Sequence, residues 1–157
     1  MQRYSGFTLI ELLVTLSIMA VLALAATPLL QVAVQRDKER ELRMALVQIR
    51  EGLDAYKRAA EQGRIVMKVG DSGYPKSLED LEKGVADQRS LNKQNLYFLR
   101  RLPKDPMARD NNLKAEESWG LRSYASPPDE PTSGVDVFDV YSKSDKVGLN
   151  GVPYAKW

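Results

Sequence analysis

The sequence predicts an α+β protein: a long N-terminal helix, apolar on all sides at first and amphipathic later, packed on a small antiparallel β-sheet domain. Three observations carry this. A nearly uncharged run covers residues 7–30, a helix-spaced apolar stripe follows between Leu42 and Ala60, and the segments 119–124 and 135–142 are rich in aromatic and β-branched residues.

The first element is FTLIELLVTLSIMAVLALAATPLL, residues 7–30, in which Glu11 is the only charged residue. About 24 residues of this composition suffice for a helix to span a bilayer. The preceding MQRYSG supplies an amine and Arg3, which favour a cytoplasmic N-terminus. Two plainer readings compete. A secretory signal would use the small residues ALAA at 23–26 as its cleavage site, but Glu11 inside the run and helical patterning beyond Pro28 speak against it. A simple membrane anchor leaves Glu11 unexplained, because a carboxylate costs about 2.5–3.5 kcal/mol at the centre of a membrane helix. Pro28 removes a helix hydrogen bond and crowds the preceding turn, which predicts a kink, a locally melted segment or the membrane exit.

Beyond Arg-Asp-Lys-Glu-Arg-Glu at 36–41, the residues Leu42, Ala45, Leu46, Ile49, Leu53, Tyr56 and Ala60 recur at spacings of three and four. They predict one apolar face, with Gly63 as C-terminal cap. A helix over 7–62 is about 80 Å long at 1.5 Å per residue. The charged stretch 36–43 reads as a solvated face, whose individual ion pairs are worth about 0–1 kcal/mol. The expected division is therefore a leader at 1–6, a membrane-spanning half-helix at 7–30, an amphipathic half-helix at 31–62 and a globular domain at 63–157.

Within that domain a short helix is expected at 78–83, with Ser77 as N-cap, Asp80 in a capping-box-like position and Gly84 as terminator. Pro103 and Pro106 limit regular structure over 98–106, where Arg100 and Arg101 read as solvated. The loop SPPDEPTSG, 126–134, separates the two strand-like segments, which predict a sheet of two to four antiparallel strands.

Composition narrows the function. The 157 residues carry 23 Lys plus Arg against 21 Asp plus Glu, and a net charge of +2 gives no basis for a nucleic-acid partner. The chain has no cysteine, hence no disulfide framework or thiolate metal site. It has no histidine, which removes Ser-His-Asp and Cys-His chemistry and imidazole zinc sites. The expectation is a protein that is not an enzyme.

Gly6-Phe7-Thr8-Leu9-Ile10-Glu11 resembles the prepilin peptidase signature of type IV pilins and of the pseudopilins of type II secretion. The resemblance implies the type IV pilin fold, cleavage after Gly6, N-methylation of the new terminal Phe7 and a requirement for Glu11 in assembly. Cleavage places an amine on Phe7, about one helical turn from Glu11. In a low dielectric the two attract strongly, either between an incoming subunit and one already in a filament or within one chain. Asp139-Val140-Tyr141-Ser142 followed by GLNGVPYAKW at 148–157, with no cysteine pair, is similar to the major G-type pseudopilins more than to adhesive pilins. The presence of Glu11 argues against the tip-type minor subunit.

The resemblance further implies a structural subunit that polymerises into a periplasmic pseudopilus driving type II protein secretion. It would be a single-pass inner-membrane protein with its C-terminal domain in the periplasm. Its implied partners are other copies of itself, minor pseudopilins, the prepilin peptidase and the inner-membrane assembly platform. The alternatives are a type IV pilus subunit for adhesion or motility and, from another class, a membrane-anchored periplasmic ligand-binding domain or enzyme. G-type pseudopilins commonly hold calcium near the C-terminus, which makes Asp139 and Asp145 candidate ligands with Ser142, Ser144 and Asn150 as helpers. The Asp139–Asp145 spacing is one residue shorter than that pattern, and its glycine-rich acidic loop is poorly matched. The alternative makes Asp136 and Asp139 solvent-facing strand residues and Asp145 a turn former, with Trp157 pinning the loop.

Overall fold

The apolar stripe read from the sequence is the inner face of one helix. In the computed structural model, which describes residues 6–92, 94–110 and 112–157, helix α1 spans Leu9–Glu61, and all seven stripe residues from Leu42 to Ala60 are buried. Gly63 ends it as predicted. With φ at 70° it donates its N–H to the Ala60 carbonyl (2.9 Å), while Arg64 donates to that of Ala59 (3.0 Å), the paired bonds of a Schellman motif. The helix runs through Pro28 without interruption, so the local melting considered above does not occur. One missing hydrogen bond does not unwind a stretch flanked by strong helix formers such as Leu and Ala.

The chain divides after Asp37 into two units. In the first, every residue from 6 to 34 is exposed, and α1 is long and apolar enough to cross a membrane. The second unit, Lys38–Trp157, holds the core. There Leu42, Leu46, Ile49 and Leu53 pack in one cluster with Leu78, Leu81, Leu99, Leu102, Trp119, Val137, Val140 and Tyr154.

Around this half of α1 the remaining elements are short. Helix α2 is Glu79–Lys83, and β1 (Val85–Ala86) pairs antiparallel with β2 (Asn95–Leu96). Helix α3 (Ala115–Ser118) leads into β3 (Trp119–Arg122), which pairs antiparallel with β4 (Asp139–Ser142), with Trp119 opposite Ser142 and Arg122 opposite Asp139. A 3₁₀ turn, Tyr154–Lys156, lies near the last described residue. Among the described residues the sheet component is thus two separate two-stranded ribbons. The irregular segment 98–106 is held from both sides: the Leu81 carbonyl accepts the N–H groups of Phe98 and Leu99, and the Trp119 indole donates to the Pro103 carbonyl at 2.9 Å. Arg100 and Arg101 are exposed, as expected.

Three details differ from expectation. The cap position of α2 is Leu78, itself buried and already helical, rather than Ser77; only the reciprocal half of the box forms, with the Ser77 N–H donating to Asp80 at 3.1 Å. Elements β1, β2, α3 and the 3₁₀ turn are too short for any periodicity to announce. Finally, Asp136 is buried rather than solvent-facing. Its Oδ1 accepts the Ser123 hydroxyl (2.6 Å) and the Tyr124 N–H (2.9 Å), bonds that replace a continued ladder and stop β3 at Arg122.

Burial opposes ionisation of Asp136, but the hydrogen bonds from Ser123, Ser72 and Tyr124 outweigh it and hold the carboxyl below its ordinary value. A carboxyl depressed on folding contributes stability that is complete above the unfolded value of about 3.9 and is lost as pH falls through the lower folded value. The melting temperature of the full chain in detergent should therefore drop on acidification below about pH 4. Asp136→Asn, which keeps an acceptor but cannot titrate, should make that acid limb shallower in a circular-dichroism melt.

Candidate functional site

Gly6, Phe7 and Thr8 precede α1 in non-helical, exposed backbone, with Phe7 79% exposed. The helix starts at Leu9, two residues later than predicted, because Thr8 caps it. The Glu11 N–H donates to Thr8 Oγ1 at 3.3 Å, and the Thr8 N–H donates to Glu11 Oε2 at 3.4 Å. This is a reciprocal capping box, and its Thr-x-x-Glu signal is legible in the sequence although the expectations for Glu11 did not include it. The Gly6–Phe7 bond thus lies outside the helix, and a Cβ placed at Gly6 would meet nothing within 4 Å among the described residues beyond its chain neighbours. Residues 1–5, including Arg3 and most of the expected leader, lie outside the described residues.

The second group of predicted residues is not brought together. Asp139 Oδ1 accepts Arg50 Nε and the Val140 N–H, both at 2.8 Å, and its Oδ2 accepts Arg122 Nη2 at 3.3 Å. Asp145 is 76% exposed on its side chain and pairs with Arg109. Ser142 is buried and donates its hydroxyl to Asp105 Oδ2 at 2.6 Å. The buried Ser144 accepts the Lys146 N–H at 3.4 Å, and Asn150 Oδ1 accepts the Val152 N–H at 3.0 Å. Calcium requires six to eight converging oxygens. No group of three or more acidic residues placed to hold a metal occurs among the described residues. As arranged, Asp139, Asp145 and their helpers do not fit the ion.

Residues 146–157 are instead bound to α1 by Glu39 and Arg43, from the stretch expected to be a solvated face, and by Arg50. Glu39, 7% exposed, accepts the Leu149 N–H at 2.8 Å and the Tyr154 hydroxyl at 2.9 Å through Oε1. Arg43 lies 4.6 Å from the centre of the Trp157 ring, and Arg50 Nη2 donates to the Trp157 main-chain oxygen at 2.9 Å. The Tyr154 and Trp157 rings meet edge to face at 5.1 Å. A Cβ at Gly148 would come within 2.6 Å of the Trp157 ring, so only glycine allows this approach. Trp157 thus pins the loop, as the metal-free alternative supposed. One available signal was missed: Glu39 lies three residues before Leu42, on the apolar stripe rather than opposite it.

Hydrogen bonds to a charged group are each worth about 1.5–3 kcal/mol. Glu39→Ala, which strips the partner from a main-chain N–H and a buried phenol, should lower the stability of the second unit by about 2–4 kcal/mol in denaturant titration. Limited proteolysis should then cut first within residues 146–157.

Residues 1–27 match the family described as the prokaryotic N-terminal methylation motif. Across 143 residues, 87% of this chain and 94% of the relative, the sequence is 29% identical to the type II secretion system core protein G of Klebsiella pneumoniae. It is 26% identical to the protein of the same name from Vibrio cholerae, over 100% of this chain and 94% of that one. No solved structure matches. With its α+β fold, its one long apolar N-terminal helix and this likeness over most of its length, the chain is a major-pseudopilin-like protein of the type IV pilin fold.

Proposed function

We propose that this protein is a structural subunit of a pseudopilus serving type II secretion, not an enzyme. The observation that carries the reading is the construction of α1. A fully exposed apolar half, long enough to cross a membrane, bears a single carboxylate, Glu11, in its first turn and four residues beyond Phe7. An exposed apolar helix needs either lipid or like helices around it. A carboxylate on it needs a cation.

In this reading the prepilin peptidase cuts the exposed Gly6–Phe7 bond, and the new Phe7 amine is methylated. Residues 7–30 lie in the inner membrane, while 31–62 and the domain at 63–157 lie in the periplasm. An amine on Phe7 adjoins the Thr8–Glu11 box, so a second subunit's amine competes with Thr8 for a carboxylate that uncut chain already holds in place. That exchange couples processing to polymerisation, with the assembly platform and minor pseudopilins as further partners. The names of the two relatives and the absence of a cysteine pair support secretion over a surface pilus.

Two experiments test it. Mass spectrometry of the native subunit should find a chain that begins at Phe7 and carries one added methyl group; an intact N-terminus in cells that possess the peptidase refutes the processing step. Glu11→Ala should insert into membranes at least as well as wild type. Removing one partner of a buried ion pair costs about 3–5 kcal/mol, so filament yield in a pelleting assay should fall about a hundredfold or more. Wild-type filament yield from the variant would sink the pairing.

A further inference from the structure

We infer that Arg50 is the built-in cation of the C-terminal segment: its guanidinium joins the Asp139 carboxylate to the main-chain oxygens of Val140 and Trp157, so that the segment closes without a divalent metal. Arg50 Nε donates to Asp139 Oδ1 at 2.8 Å, and Nη2 reaches the Trp157 oxygen at 2.9 Å and the Val140 oxygen at 3.4 Å. One carboxylate and two main-chain oxygens are the kinds of group that calcium gathers. Here a planar fork of N–H donors gathers them, from a position on α1 that is 89 residues from Asp139 and 107 from Trp157 in sequence.

The groups around Asp139 oppose an added metal. The other Asp139 oxygen accepts from Arg122, whose guanidinium lies 4.6 Å from the centre of the Phe138 ring and is fixed there. A divalent ion at Asp139 would have to displace these donors while standing beside two permanent positive charges, at short range and in a partly buried setting. Asp145 is turned to Arg109, and the Ser142 hydroxyl is committed to Asp105, so neither converges on the same point. The two arginines are not interchangeable with lysine: an ammonium is a point charge and cannot present Nε to the carboxylate and Nη2 to the main chain in one plane. Closure of the segment is thus part of folding, independent of the calcium supply outside the cell's inner membrane.

The test is hydrogen–deuterium exchange of the full chain in detergent micelles, read on peptides covering residues 146–157, where the N–H groups of Gly148 and Tyr154 bond to the Val152 and Lys146 carbonyls. Wild-type uptake should be the same with calcium and with excess chelator. In Arg50→Gln it should rise about tenfold or more in this segment. Arg100→Gln, an exposed control, should change nothing there. Slower wild-type exchange in calcium, or unchanged exchange in Arg50→Gln, would overturn the proposal. If Arg50→Gln unfolds throughout, Asp139→Asn should give the same local increase with a shape-conserving change. Protection of wild type by calcium decides against the proposal whatever the variants do.

Discussion

The second unit depends on one surface, the inner face of α1 between Glu39 and Ala60. Its two ribbons contribute only two and four residue pairs, and ribbons of that size have no stability of their own in water. They are ordered because Trp119 and Val140 of one ribbon enter the same cluster as Leu42, Leu46, Ile49 and Leu53, while Val85 and Leu96 of the other pack against it. Long connections are ordered in the same way, by Leu78, Leu81, Leu99 and Leu102. The helix is thus the scaffold, and the rest of the unit is a set of short pieces laid on it.

On this apolar face α1 also presents polar groups with defined partners. Glu39 near one end takes a main-chain N–H and a phenol, and Arg50 nearer the middle takes a carboxylate and main-chain oxygens. Both tie the last residues of the chain to the helix, and each supplies hydrogen-bond partners to polar groups taken out of water. Arg43 adds a contact to the Trp157 ring from between them. Oppositely charged side chains on one helix thus hold one segment by its donors and its acceptors in turn.

The other half of α1 obeys a different rule. It has no core to enter, and its apolar residues are exposed on all sides in the single chain. The capping box at Thr8 and Glu11 sets where the helix begins and so keeps Gly6 and Phe7 in non-helical, exposed backbone. The same carboxylate that caps the helix is the one proposed to serve assembly; on that reading Glu11 has a local partner before processing and a competing one afterwards.

The sequence by itself determined the long helix, its two halves, its end at Gly63, the strand segments and the N-terminal Gly-Phe…Glu constellation. These are encoded by nearest-neighbour chemistry and by periods of two and 3.6, which a single chain displays without its fold. Only the tertiary structure decided the fate of the charged residues. Glu39 and Asp136 read as solvated and are buried with partners; Asp139 and Asp145 read as neighbours around an ion and turn instead to different arginines. Apart from the Val140 N–H beside Asp139, the partners named for them lie from 12 to 115 residues away, with Arg109 36 residues from Asp145. No local pattern records such separations, and a charge takes whichever counter-group the packed chain delivers to it.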